Sequence, residues 1–482
     1  MLAQKTIKPL FIGGEWVETS ELHPIYNKYT GELFAQISKA GEAEKNAALE
    51  AAERAFRQSD FAPAQRFQVL MKMYHLLLDH LEEFAEAIAA EGGKPIVDAR
   101  TEVNRSALIF LLSAEEAIKI TGEMIPAQVA PNLNIGKRLI YTIKKPIGLV
   151  CAITPFNFPL NLVVHKVAPA LAAGNPVIIK PASDTAYSAL KLCELLEKAG
   201  LPKGFASCLV GSGSTLGDQL LTDQRIHKYT FTGSPEVGKH IHRTIGMRRV
   251  TLELGSNSAT IVHQDADVET AAAKLARMSF AHAGQICISV QRIYVHKEIE
   301  QTFMEAFLRY TASLKVGDPL DPSTIVGPMI SEKEAIRIEG WVNEAVEQGA
   351  KIWTGGRREN NVYYPTVLTG ATKGMKVVDE EVFAPVVSIA TYETIEEAVR
   401  LVNDSKYGLQ AGVFTQSVSL AHTIPYLLEV GGVMINDTSS FRADQMPYGG
   451  VKESGMGKEG PAFAIEEMLE TVTVAVNLEE QL

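Results

Sequence analysis

Apolar positions follow two rhythms along most of this chain. From Ala43 to about Ile120 they recur every three or four residues. Ala47, Ala51 and Ala55 share one face, and Leu70, Tyr74, Leu77 and Leu81 share another, which predicts successive amphipathic helices. From residue 148, short and nearly continuous apolar runs alternate with helical ones. Gly148–Ile153, Pro176–Lys180 and Phe205–Val210 read as strands buried on both faces, with helices at Leu162–Ala173 and Ala186–Gly200 between them. His227–Phe231 adds a strand that runs through Thr232–Gly238 into another helix. After Glu253 the alternation resumes, with strands at Ala259–Val262, Arg292–His296 and Val433–Asn436. Helices are predicted there at Val268–Ala281, Ile299–Leu314, Ala335–Gln348, Glu393–Asn403 and Ser417–Val430. The fold class is α/β, with doubly wound sheets.

Three stretches break the rhythm. Residues 7–40 read as short strands with turns at Gly13-Gly14 and Tyr29–Glu32. Ala127–Lys145 is a polar ribbon in which Arg138, Tyr141 and Lys144 alternate with Leu139, Thr142 and Ile143. That pattern suits an arm between domains or subunits better than a central strand. Gly449–Gly460 reads as a glycine-rich loop.

With 482 residues, 46% of them hydrophobic and 21% charged, the chain can build two or three globular domains. A net charge of -11 argues against nucleic acid or an anionic membrane as a partner. No run of about 18 apolar residues offers a membrane span, and Met1–Lys5 is not followed by a signal-length apolar run; the expectation is a cytoplasmic protein. The four cysteines, Cys151, Cys193, Cys208 and Cys287, form no CxxC or Cys/His spacing, so neither a disulfide framework nor a metal site is expected.

One thiol nevertheless invites chemistry. Cys287 follows a glycine-bearing turn in Phe280–Ser289, between two isoleucines. Those neighbours alone describe an inert core cysteine. Glu253, in Leu252–Gly255, is a carboxylate in an apolar segment, and Asn157, in Thr154–Pro159, is an amide in an aromatic and proline turn. A thiol nucleophile, a carboxylate base and an amide donor are what thioester formation and hydrolysis require.

In family order, the motifs Thr154–Pro159, Lys180–Ala182, Phe231–Ser234, Glu253–Gly255, Gly284–Cys287, Glu381–Pro385 and Pro447–Gly450 resemble the aldehyde dehydrogenase superfamily. The resemblance runs from about Ile12 to Asn477. It implies a Rossmann-like cofactor domain (1–122 and 147–255), an α/β catalytic domain (256–452) and a β-strand oligomerisation arm (123–146 and 469–482). A homodimer or homotetramer follows from the arm. Cys287 becomes the nucleophile, Asn157 the oxyanion donor and Glu253 the base that activates water against the thioester. Relatives that transfer the acyl group to coenzyme A typically lack this glutamate, so water is the expected acceptor. Those relatives, and a catalytically silent binding protein on the same fold, are the rival readings.

The resemblance also implies NADP or NAD as cofactor. Ile153, Thr154, Pro155, Phe156, Lys180, Gly213, Phe231, Thr232, Gly233, Ser234, Val237, Leu254 and Gly255 fall at cofactor-binding positions, with Glu381 and Phe383 beside the nicotinamide. Thr232–Gly238 opens a helix and offers free N–H groups to a phosphate. Ser183 stands where many NAD-preferring relatives carry a glutamate, which makes a 2′-phosphate acceptable. Ser256 departs from a more usual glycine. Arg105, His165 and Arg442 fall at or near aldehyde-channel positions, which points to a small, polar or anionic aldehyde such as a hydroxyaldehyde, a phospho- or sulfo-substituted aldehyde or a semialdehyde.

Overall fold

Val150–Ile153 lies in the middle of an eight-stranded sheet in a computed structural model that describes residues 7–132 and 135–478. The order across the sheet is Gly455–Met456, Arg249–Glu253, Lys228–Thr232, Val150–Ile153, Val177–Lys180, Ala206–Cys208, Leu10–Ile12 and Glu15–Val17. The strands from Arg249–Glu253 to Ala206–Cys208 are parallel, and the outer ones antiparallel. From Val150–Ile153 the chain winds outward in one direction, then returns to build Lys228–Thr232 on the other side. A doubly wound sheet opens a crevice at such a switch point, beyond the carboxyl ends of its strands.

Helix Asn161–Ala173 is buried at every position, because the sheet covers one side and helices Ile96–Ala117 and Pro461–Glu467 cover others. This explains an apolar sequence without a polar face. Gly174, at φ 88, ends the helix, and the Asn175 side chain then ties Gly148 N–H and the Met468 carbonyl together, each at 2.9 Å.

A second sheet carries Lys351–Thr354, Thr366–Thr369, Val386–Tyr392, Arg292–His296, Ala259–Val262, Gln410–Phe414 and Gly432–Ile435, parallel except for the first strand. Arg138–Pro146 pairs antiparallel with Leu469–Asn477 over its full length, and with Met124–Ile125 on its other side. The ribbon is thus the central strand of a small separate sheet. Residues 1–6, 133–134 and 479–482 of the expected domain limits lie outside the described residues. No helix among the described residues is long and apolar enough to cross a membrane.

Three local expectations need correction. In helix Glu42–Gln58 the buried face is Lys45, Ala48, Leu49, Ala52 and Ala55, while Ala47 is exposed; small alanines at every fourth position do not by themselves mark the packed side. The helix expected over 417–430 is a short α-helix, Val418–Thr423, that tightens at Ile424–Tyr426, where Pro425 lacks the N–H needed to continue. The loop 449–460 is partly strand: Gly455–Met456 pairs with Leu252–Glu253.

Candidate active site

Helix Val268–Phe280 ends in a turn of three consecutive left-handed residues, His282 (φ 48), Ala283 (φ 54) and Gly284 (φ 68). Left-handed backbone costs a non-glycine residue about 1–3 kcal/mol, so the surroundings must enforce it. They do so through Gln285, whose side-chain oxygen accepts from Ile330 N–H at 2.9 Å and whose carbonyl accepts from Asn157 Nδ2 at 2.8 Å. The turn therefore joins the two large sheets and delivers Cys287 between them.

Cys287 is half-buried and lines two cavities at once. The larger, of about 610 Å³, contains Pro155, Phe156 and Asn157 from one strand end, Thr232–Glu236 from the next, and Glu253–Gly255. Glu381 and Phe383 face these from the second sheet's side, with Phe383 edge-on to Phe156 at 5.8 Å. Both carboxylate oxygens of Glu253 are buried without a hydrogen-bond partner. Burial first, then the Glu459 carboxylate, pushes its pKa well above the usual range, against the pull of Arg442, Lys166 and Lys458. A raised pKa makes the ionised carboxylate a stronger proton acceptor than an ordinary one. Gly449 leaves it room, since a Cβ there would stand 2.8 Å from Glu253 Oε1.

Asn157 spends one amide hydrogen on Gln285 and keeps the other, while the Cys287 backbone N–H has no protein acceptor among the described residues. Two free donors beside a thiol can hold an oxyanion. Burial pushes the Cys287 thiol up to about 11, opposed mainly by a hydrogen bond with the Tyr448 hydroxyl at 2.9 Å.

The residues of the first cavity suit a dinucleotide. Ser234 caps helix Pro235–Thr244 by accepting from Val237 N–H at 3.4 Å, and the helix's positive end lines the cavity. Phe231 is buried beneath Gly233, where a Cβ would overlap its ring. Gly255 is pressed against Glu381, which accepts from Ser256 N–H at 3.0 Å and whose pKa burial raises to about 7. Ile153, Thr154, Lys180, Ser183 and Gly213 gather at neighbouring strand ends. There the buried Lys180 ammonium has no partner among the described residues, and Thr154 Oγ1 is likewise unpaired. An orphan cation and hydroxyl at the switch point fit ribose hydroxyls. Ser183 donates to the Gly211 carbonyl at 3.2 Å, and Asp184 is occupied by His23 at 3.0 Å.

The second cavity, of about 160 Å³, opens on the other side of Cys287. Arg105, Arg277, Arg442 and Lys94 line it, with Asp98 and Glu102. Asp444 takes Arg105 in two bonds of 3.0 and 2.7 Å, Asp98 takes Arg277 at 2.9 Å, and Glu459 takes Arg442 at 2.9 Å and Lys166 at 2.7 Å. Lys94 pairs with Glu102. His165 lies one layer behind the wall, between Asp444 (3.2 Å) and Arg442 (3.0 Å), and burial brings its pKa down to about 4, so it is neutral. These five cations and four carboxylates leave a surplus of one positive charge. Arg277 Nη1 and Arg442 Nε are buried donors without partners.

Arg277 was not singled out from the sequence, and Tyr448 entered only as part of the motif Pro447–Gly450, with no role of its own. Arg277 reads there as an ordinary charged residue in an alanine-rich helix. Trp341 and Arg337, stacked at 4.6 Å on the wall of the first cavity, also gave no signal beyond a helical pattern.

A thiol set between a crevice that suits a dinucleotide and a small charged cavity is an arrangement that fits a nicotinamide-dependent oxidoreductase. Residues 16–474 match the Aldehyde dehydrogenase family, and the chain belongs to it: it is an NAD(P)-dependent oxidoreductase acting on aldehydes. The chain is 51% identical to a 3-sulfolactaldehyde dehydrogenase of Priestia aryabhattai over 97% of its own length and 98% of that protein's. Among solved structures it resembles aldehyde dehydrogenase 21 of Physcomitrella patens, crystallised with the reaction product succinate, at 38% identity and a TM-score of 0.96 over the whole of both chains. It also resembles a glyceraldehyde-3-phosphate dehydrogenase of Methanocaldococcus jannaschii complexed with NADP, at 36% identity and a TM-score of 0.91, covering 95% of this chain and 100% of that one.

Proposed function

We propose that this enzyme oxidises a small aldehyde carrying one negative charge to the corresponding carboxylic acid. The observation that carries this reading is the second cavity, whose arginines are nearly but not fully neutralised. Its surplus charge matches a monoanion, and the spare N–H groups of Arg277 and Arg442 offer charge-assisted bonds to a sulfonate or carboxylate. The names of the relatives, sulfolactaldehyde and lactaldehyde dehydrogenase, support a short polar substrate.

In this reading Cys287 adds to the carbonyl carbon, and Asn157 with the Cys287 N–H holds the oxygen. Bound NAD(P) supplies the acceptor for the hydride that leaves as the oxyanion collapses. Glu253 takes a proton from water, which attacks the resulting thioester and releases the acid and the free thiol. Lys180 and Thr154 hold ribose, and the helix opened by Ser234 receives phosphate. The enzyme acts in the cytoplasm as a homodimer or homotetramer built through the arm. Residues up to 122 and from 147 to 255 form the cofactor domain, and 256–452 the catalytic domain.

The test compares 3-sulfolactaldehyde, succinate semialdehyde, glyceraldehyde 3-phosphate and neutral lactaldehyde, with NAD and NADP separately, in the wild type, Cys287→Ala and Arg277→Gln. Reduced cofactor should form in the wild type without coenzyme A and vanish in Cys287→Ala. Arg277→Gln should raise KM for the monoanions about tenfold or more, the scale of one bond to a charged group, and leave lactaldehyde within about twofold. Equal effects on charged and neutral aldehydes would remove the charge argument.

A further inference from the structure

The mechanism above leaves the strongest contact of the nucleophile unexplained. Tyr448 Oη lies 2.9 Å from Cys287 Sγ, across 161 residues of sequence. We propose that the Tyr448 hydroxyl is a catalytic hydrogen-bond donor to the Cys287 sulfur, stabilising the thiolate in the free enzyme. This rests on the reading of Cys287 as the nucleophile.

At 2.9 Å either atom of a thiol–phenol pair can donate, but ionisation of the sulfur sets the direction of the bond. A thiolate can only accept, so the hydrogen must come from the phenol. The phenol keeps that hydrogen at every working pH, since burial raises its pKa well above the ordinary tyrosine value, helped by the nearby Cys287 and Glu253 and opposed by Arg442. The charged groups around the sulfur are Glu381 and Glu253, which disfavour its ionisation, and Arg442, which favours it. Two carboxylates and an apolar setting hold the thiol up at about 11 even with the Tyr448 bond in place. Tyr448 is the largest opposing influence.

The ring is also held in place. The Arg442 guanidinium lies over it, 3.8 Å from the centroid, and Arg442 is fixed in turn by Glu459 and His165. Tyr448 exchanges backbone hydrogen bonds with Glu459 at 3.1 and 2.7 Å, so ring, cation and carboxylate are tied to one another. The thiol's own proton leaves to solvent, and none of it stays on Tyr448. When sulfur then bonds to the aldehyde carbon, its charge passes to oxygen and the hydrogen bond weakens. The donor therefore favours the reactive thiolate at a small cost in its nucleophilicity. If the bond raises the thiolate fraction about tenfold, lower basicity returns about threefold of that, leaving a net gain of about threefold.

The test is the second-order rate of Cys287 with 4,4′-dithiodipyridine between pH 6 and 10, in the holoprotein chain and without any aldehyde. Cys151, Cys193 and Cys208 are fully buried, which leaves Cys287 as the reporting thiol. Tyr448→Phe should react about threefold more slowly along the ionising limb, and its kcat/KM profile should move toward higher pH by about one unit. Replacing Tyr448 by 3-fluorotyrosine, a stronger donor of nearly the same shape, should speed the reaction instead. Rates that coincide with the wild type for Tyr448→Phe overturn the proposal; if that variant does not fold, coincidence for the fluorotyrosine protein does so alone. A wild-type protein whose Cys287 reacts as described but which oxidises no aldehyde would fail the function reading, a separate outcome from either of these.

Discussion

Gly284 is where the thiol segment has least freedom. Its φ of 68 is left-handed, and a Cβ there would overlap the Ala384 carbonyl oxygen. Two left-handed non-glycine residues already precede it, so the turn has no slack with which to absorb a third. Gly284→Ala should cost about 3 kcal/mol, combining backbone strain with overpacking, and should be read from the shift in denaturant midpoint. Because Gln285 and Cys287 follow directly, thiol reactivity should fall in the same variant even where it is still folded. At this scale the sequence marked Cys287, Glu253 and Asn157 because each is a polar or reactive group in apolar surroundings. It could not mark Tyr448, whose aromatic ring in a glycine-rich turn reads as packing until the fold sets it against the sulfur. Arg277 was illegible for the opposite reason: a charged residue on a helix is ordinary, and only the tertiary fold turns that side of the helix toward the cavity.

Helix Tyr187–Ala199 is capped by another helix rather than by its own sequence. Its N-cap, Ala186, offers no side-chain acceptor. Glu91, from helix Leu81–Gly92, accepts instead from the N–H groups of Tyr187 at 2.9 Å and Ser188 at 3.0 Å, and from the Ser188 hydroxyl. Burial raises its pKa from 4.5 to about 7, although these donors and Lys28 pull the other way. The native state thus holds this proton more tightly than the unfolded chain does. Its stabilising contribution is complete below about pH 4.5 and declines as pH rises through 7, by about 3 kcal/mol in all. Glu91→Gln should remove that decline, so its melting temperature relative to the wild type should rise between pH 5 and 8. A gap that stays constant with pH would show Glu91 to be ionised throughout. The boundaries of such helices were legible from periodicity, whereas a cap supplied 96 residues away was not. The same limit explains Gly455–Met456, whose strand character comes from the exposed edge of Arg249–Glu253 and not from its own glycine-rich sequence.

On the scale of the whole molecule, the two large sheets were legible because a strand buried on both faces needs an apolar run, and those runs are short and alternate with helical stretches. How the sheets meet at Cys287 was not, since that junction depends on single side chains such as Asn157 and Gln285. The arm sits between these cases. Its polar, strand-like composition announced an extended arm, but not its faces: the unbroken ladder between Arg138–Pro146 and Leu469–Asn477 puts Tyr141 on the side of Leu139 and Ile143, and Thr142 on that of Arg138 and Lys144. What it does not supply is cover for the apolar side chains on one face of the small sheet: Met124 is 68% exposed, and Leu139 and Val476, which the register puts on the same face, are each more than a third exposed. Apolar exposure gathered on one face of a sheet suits a second copy of the chain. Val474 pairs with Tyr141 in the middle of the ladder, where proline would break both the pairing and the shape of the sheet. Val474→Pro should lower the mass measured by light scattering from a dimer or tetramer to a monomer. Thiol reactivity of Cys287 should survive, because the turn that presents it is held by the two large sheets and not by the arm. An unchanged mass would take the arm out of the assembly, and loss of both mass and reactivity together would mean that the arm also supports the catalytic turn.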